Sequence, residues 1–174
     1  MLSPRQTAAL LGVSESSVKR WVDRGRIRAE RTAGGHRRIP LPEVARFVRE
    51  EGHAVVRPDL LGLGGEGATP EQGRPPTVAG EPETGGDLQG RFFGALLEGR
   101  PERARRLLVE AFLAGQSVAR LIDDVLAPAL RQAGDLWQCR SDGIFIEHRA
   151  VGICEAALEA VRALMLRPDS GAPV

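Results

Sequence analysis

The chain has 174 residues, of which 27% are charged, 42% apolar and 4% aromatic. That mixture fits a soluble globular protein and excludes a membrane-spanning, collagen-like or wholly disordered one; no apolar run approaches the roughly 20 residues that a membrane helix needs. Two cysteines, Cys139 and Cys154, are too few for a disulfide scaffold or a tetrahedral zinc site. The opening Met1-Leu2-Ser3-Pro4-Arg5-Gln6 has no apolar signal core, so a cytoplasmic location is expected. The net charge of +1 is uneven. Residues 1–52 hold eleven Lys/Arg against six Asp/Glu, or +5, and the remainder holds thirteen against seventeen, or −4. A basic head on an acidic body places any polyanionic partner at the head.

Ser3 is a good helix cap, Pro4 fits the first helical position and Gln6 completes a capping box. Ala8, Ala9 and Leu11 are expected to face inward. Gly12 breaks this helix and Val13 plugs the turn; Ser14 then caps a second helix running to about Arg24 and ended by Gly25. Two short helices around a glycine-containing turn form a helix-turn-helix pattern. On the second helix Val18, Trp21 and Val22 share one face, which makes Trp21 a core residue rather than a base-stacking one. Ser16, Ser17, Lys19, Arg20 and Arg24 fall elsewhere and point mostly outward. Short hydroxyls and long cations there suit the base edges and phosphates of a major groove.

Two short strands, Ile27–Arg31 and Arg37–Ile39, are expected around a turn containing Gly34-Gly35. Arg31, His36, Arg37 and Arg38 would line this hairpin and its tip. A third helix from Pro42 to about Glu50 would support it through Val44, Phe47 and Val48. A merely solvated basic face is the alternative, and the helix-turn-helix beside it argues otherwise. The segment resembles the winged-helix DNA-binding domains of MerR-type regulators, most closely their BldC and excisionase-like branch. The resemblance is carried by Ser3-Pro4-Arg5-Gln6-Thr7-Ala8, by Ser14-Glu15-Ser16-Ser17-Val18-Lys19-Arg20-Trp21 and by Thr32-Ala33-Gly34-Gly35-His36-Arg37-Arg38. It implies a recognition helix in the major groove of promoter or operator DNA, and a wing along the backbone or minor groove. One such head neutralises few phosphates, so alone it should bind weakly and with steep salt dependence. A homo-oligomer that holds several heads together is therefore expected.

Residues 57–89 contain five Pro and eight Gly. A stretch with so few large apolar side chains cannot offset its ordering entropy, so residues 53–86 read as a flexible linker. Residues 87–167 are again helix-periodic, which predicts a mainly α chain: winged helix-turn-helix, linker and antiparallel four-helix bundle. Asp87 is expected to cap the first of these helices, with Leu88, Phe92, Ala95 and Leu96 inward. Pro101 starts the second, with Ala104, Leu107, Leu108 and Ala111 inward, ending near Gly115. Ser117 starts the third, running to about Trp137 with Ile122, Leu126, Ala129, Ala133 and Trp137 on one stripe and a kink at Pro128. The fourth runs from about Ser141-Asp142 to about Leu166, its inner seam read as Ile144, Glu147, Val151, Cys154, Leu158, Val161 and Met165. Glu147 is the one polar member of that seam, and His148 flanks it. From spacing alone an inward carboxylate is either paired with an Arg or His in the core, left at a splayed end, or used. Cys154 reads as a small core residue. Residues 168–174 read as a tail or the start of a further linker.

Leu126-Ala127-Pro128-Ala129-Leu130, then Gly134-Asp135-Leu136-Trp137, then Glu147-His148 resemble the helical cap that precedes cobalamin-binding domains. The version in CarH/LitR photoreceptor regulators is the most similar. Those proteins join a MerR-type head, a linker, a four-helix bundle and a cobalamin-binding Rossmann-like domain. Their bundle carries a Trp, nine residues and a Glu-His pair over the upper, adenosyl face of adenosylcobalamin, and Trp137 and Glu147-His148 have that spacing. The resemblance thus implies adenosylcobalamin as cofactor, with Trp137, Glu147 and His148 against it. The family takes its lower axial histidine from an Asp-x-His-x-x-Gly motif that this sequence lacks. The expectation is therefore a truncated regulator, a repressor that keeps operator contact and loses switching. It has no catalytic set, no metal-ligand set of its own and no membrane segment, and so is not expected to be an enzyme. Two other readings stay open from sequence: an excisionase-like architectural DNA-binding protein, and the cap component of a corrinoid methyltransferase system.

Overall fold

A computed structural model describes residues 1–61, 85–136 and 143–165, with backbone alone at 85–86, 136 and 143–146. The expected linker from residue 62 to 84, Trp137, Cys139, the side chain of Ile144 and the tail lie outside the described residues. What is described is mainly helical and forms two compact units. The first is built on residues 1–61 with the last turn of the final helix, the second on residues 85–136 and 143–161.

In the first unit α1 (Pro4–Leu11) is closed by a full capping box. Ser3 Oγ accepts from Gln6 N at 3.2 Å and Gln6 Oε1 accepts from Ser3 N at 2.9 Å. Thr7, Ala8, Leu10 and Leu11 are buried, whereas Ala9, expected inside, is exposed. Residues two apart on a helix point to nearly opposite sides, so Ala9 and Leu11 cannot both face in. Gly12 ends α1 at φ 65°, and a Cβ there would lie 2.8 Å from Val56 Cγ2. That closeness matters because Val56 N donates to Leu10 O at 2.8 Å and a 3-10 turn, Pro58–Leu61, follows. Residues 53–61, read from sequence as the start of the linker, therefore pack on the head.

Ser14 caps α2 (Glu15–Asp23), its Oγ accepting from Ser17 N at 3.1 Å. Val18 is fully buried, and the half-buried Trp21 ring stands 4.8 Å from Phe47 and 5.1 Å from His53. The hairpin is shorter than expected. β1 (Glu30–Arg31) pairs antiparallel with β2 (Arg37–Arg38) in the register Glu30↔Arg38 and Arg31↔Arg37. Ile27 and Ile39, expected in the strands, instead anchor their outer ends in the core. Leu2 exchanges two hydrogen bonds with Ile39, at 2.8 and 2.7 Å, so the chain start borders the wing. α3 (Leu41–Glu51) buries Val44, Ala45, Phe47 and Val48 beneath it.

In the second unit α4 (Gly85–Leu97) buries Leu88, Phe92, Ala95 and Leu96 as its spacing predicts. Asp87 is not its cap, since it lies within the first turn, where its charge still complements the helix dipole. α5 (Pro101–Leu113) buries Ala104, Leu107, Leu108 and Ala111. Ser117 Oγ accepts from Arg120 N at 3.3 Å and opens the third helix of the bundle. This helix has three parts: α6 (Val118–Arg120), a π-helical stretch (Leu121–Leu126) and α7 (Ala127–Leu136). Pro128 has no N–H to give, and the disruption takes the form of this wider turn just before it. Extra residues per turn shift the inward face: Leu121 and Val125 are buried, while Ile122, expected inside, is 40% exposed. Leu126, Ala129 and Ala133 stay buried, and α4 packs on α5, the π-helical stretch and α7.

The last helix, α8 (Gly143–Met165), corrects its expected seam. Cys154 and Val161 are buried, but Val151 is 42% and Met165 53% exposed. The buried set is Ala150, Ile153, Cys154, Ala157, Val161 and Leu164. The inner stripe thus follows 147-150-154-157-161-164, still a 3-4 repeat but leaning to the other side of the shared positions. Glu147 keeps its place at the head of that stripe. Behind it Arg149 Nη2 donates to Leu97 O at 2.7 Å, over the end of α4. Gly99 permits this approach, since a Cβ there would fall 2.9 Å from the guanidinium.

Candidate nucleic-acid interface and helical cap

At the front of α2 the hydroxyls cluster. Ser14 Oγ lies 2.9 Å from both Ser16 Oγ and Ser17 Oγ, and Arg20 Nη2 donates to Ser17 Oγ at 3.4 Å. Lys19 is paired to Glu15 at 2.9 Å, one turn back. At the far end Arg37 of β2 reaches Asp23, the last residue of α2, with Nη2 2.6 Å from Oδ1. This ion pair ties the wing to the recognition-type helix. The turn of the wing is closed by Thr32: its N donates to His36 O at 2.9 Å, its Oγ1 accepts from His36 N at 3.2 Å, and its carbonyl accepts from Gly35 N at 2.8 Å.

The structure therefore places Ser16, Ser17, Lys19, Arg20 and Arg24 on or just after α2, and Arg31, His36, Arg37 and Arg38 on the wing. The Asp23–Arg37 pair joins the two groups. Among the described residues the side chains of Arg24, Arg31 and Arg38 have no hydrogen-bond or ion-pair partner. Arg24 and Arg31 are exposed and Arg38 is half-buried.

Two acids that shape this surface were not evident from sequence. Asp23 has a faint signal, because an acid at a helix C-terminus opposes the dipole and so asks for a partner elsewhere. Glu43 has only the i,i+3 spacing to Arg46. Its residue is 5% exposed. Glu43 Oε2 accepts from Arg28 N at 3.3 Å and from Arg46 Nη2 at 3.0 Å, and Arg46 Nη2 also donates to Arg26 O at 2.8 Å. Burial pushes the Glu43 carboxyl up, but the Arg46 and Arg28 hydrogen bonds and charges outweigh it and hold it below the usual carboxylate value. The Arg46 guanidinium, also paired with Glu50, is correspondingly raised.

In the helical unit Glu147 is half-buried and has no ion-pair or hydrogen-bond partner among the described residues, while His148 beside it is exposed. Trp137, expected to complete this group, lies outside the described residues. Cys154 is buried, and burial followed by the charge of Glu155 raises its thiol to about 11, which suits a core residue. Among the described residues no group of three or more His, Cys, Asp or Glu could hold a metal ion, and no helix is long and apolar enough to cross a membrane.

Residues 1–52 match the family model described as a helix-turn-helix domain, and residues 88–162 match the one described as a B12 binding domain. No curated protein matches the chain. The second match spans α4 through most of α8 and so takes in the stripe headed by Glu147. The chain joins a helix-turn-helix head to a helical domain of the B12-binding kind.

Proposed function

We propose that the chain is a DNA-binding transcription regulator, a repressor of the cobalamin-dependent photoreceptor type. α2 enters the major groove, with Ser16, Ser17 and Arg20 toward base edges and Lys19 and Arg24 toward phosphates. The wing lies along the backbone with Arg31, His36, Arg37 and Arg38. The observation that carries this reading is the set Arg24, Arg31 and Arg38. Three cations without partners flank the α2–wing contact at which Arg37 is pinned by Asp23. Phosphates supply what these cations lack, and release of their counterions drives binding. A single head makes few such contacts, so two or more copies of the chain bind together.

Glu147, His148 and Trp137 would lie over the upper, adenosyl face of adenosylcobalamin. Glu147 fits that role because an inward carboxylate without a donor is costly, and a bound group carrying donors removes the cost. The cofactor when bound brings a cobalt–carbon bond that light cleaves. The described residues offer only the upper face: His36 and His53 belong to the head, and His148 flanks the seam. Regulation rather than catalysis is the role that the two matched domains support.

A mobility-shift titration of duplex DNA tests both halves, run with and without adenosylcobalamin, in the dark and after illumination. Duplex binding is expected under all four conditions, and Glu147→Gln is expected to abolish spectroscopically detected cobalamin binding while leaving DNA affinity intact. Absence of duplex binding removes the regulator reading. Cobalamin binding unaffected by Glu147→Gln removes the cap assignment, and light-dependent DNA binding contradicts the restriction to one face.

A further inference from the structure

The connection from α2 to β1 is short and has little regular structure. It is held on one side by Arg26 N and Ile27 N, which both donate to Trp21 O, at 2.9 and 3.3 Å. On the other side it is held from α3. Glu43 Oε2 accepts from Arg28 N, and Arg46 Nη2 bridges Glu43 Oε2 and Arg26 O. One carboxylate and one guanidinium thus grip the backbone on both sides of the buried Ile27, three residues before the first strand of the wing. From this geometry we infer that Glu43, with Arg46, is a positioning residue for DNA recognition: it fixes the direction in which the wing leaves the recognition helix, and so where Arg31 meets the duplex. The inference rests on the reading that the head binds DNA.

Position alone would not require a charge. The carboxylate, however, collects several donors at one oxygen, and hydrogen bonds to an ionised acceptor are about twice as strong as neutral ones. An amide oxygen in its place could accept from the same donors but would lack the charge that strengthens their hold. Coulomb attraction predicts the opposite of what positioning predicts. Removing an acid from the head makes it more cationic, which favours a polyanion, whereas a misdirected wing loses affinity.

The test is a pair of double-mutant cycles on duplex affinity at fixed salt, using the full chain, with thermal melts alongside. Glu43→Gln is expected to weaken binding by about tenfold. Combined with Arg31→Ala it should cost little beyond either change alone, because the wing contact is already lost. Combined with Arg24→Ala, on the recognition-helix side, the losses should add. Arg46→Lys, which keeps the charge but loses the two-point grip, should show the same pattern and stands in should Glu43→Gln fail to fold. If the wild-type chain binds and Glu43→Gln adds equally with both arginine changes, or tightens binding, the positioning role is overturned while the DNA reading stands. A wild-type chain that ignores the duplex overturns both.

Discussion

Two carboxylates among the described residues, Glu43 in the head and Glu147 in the helical unit, are treated differently. In the head Glu43 is nearly fully buried and meets a backbone N–H and a guanidinium that itself grips a carbonyl. In the helical unit Glu147 heads an otherwise apolar stripe of Ala150, Cys154, Ala157 and Val161 and has no partner among the described residues. A buried charge whose partners come from its own chain is part of the scaffold, and removing one partner is costly. A partly buried charge left without a partner costs stability and calls for an explanation. In the head the inner acid is held by donors of its own chain, whereas in the helical unit Glu147 is not, and the proposed cofactor contact would supply what it lacks.

The largest expected effect concerns the apolar core of the helical unit. Phe92→Ala in α4 should cost about 3–5 kcal/mol in a denaturant melt of the helical unit. Glu43→Ala should cost the head about 2–3 kcal/mol, below the usual figure for breaking a buried pair because Arg46 keeps some contact with water. A Trp137→Phe background, in which Trp21 is the remaining tryptophan, lets fluorescence read that loss in the head. Acid should act through the same carboxylate. The Glu43 carboxyl is held below its ordinary 4.5, so its contribution is complete above that value and is lost as pH falls through the lowered one. Urea midpoints of the head should therefore drop as pH falls below about 5, and drop less in Glu43→Gln. Glu147→Leu, in contrast, should leave the midpoint of the helical unit unchanged or raise it by up to about 1 kcal/mol. A loss of several kcal/mol there would show that Glu147 is structural like Glu43 and would erase the contrast.

Much of this arrangement was legible in the sequence because local rules set it. Ser3, Ser14 and Ser117 each cap the helix expected of them, and the apolar spacing in α4 and α5 names their buried residues. The misses share one cause, which is that neighbours rather than local pattern decide fine rotation. Periodicity counted Ile122 inward because it assumed 3.6 residues per turn through a stretch that the structure winds as a π-helix. Val151 and Met165 belong to a stripe as regular as the observed one, and only packing selects between them. Residues 53–61 carry the polar and glycine-rich look of a linker, yet Leu10 O accepts from Val56 N across the gap that Gly12 leaves. The placement of the cations on α2 and the wing followed from the sequence, but the pairs Asp23–Arg37 and Glu43–Arg46 did not, since each depends on a turn direction that no short motif encodes.

The central claim is that Arg24, Arg31 and Arg38 are free cations waiting for phosphate. The slope of duplex affinity against salt tests it most directly. The wild-type chain should bind at low ionic strength and lose affinity steeply with salt, and Arg24→Ala and Arg31→Ala should each flatten the logarithmic slope by about 0.9 for each copy engaged. Affinity that is absent at low salt, or a slope that neither substitution changes, would contradict the account.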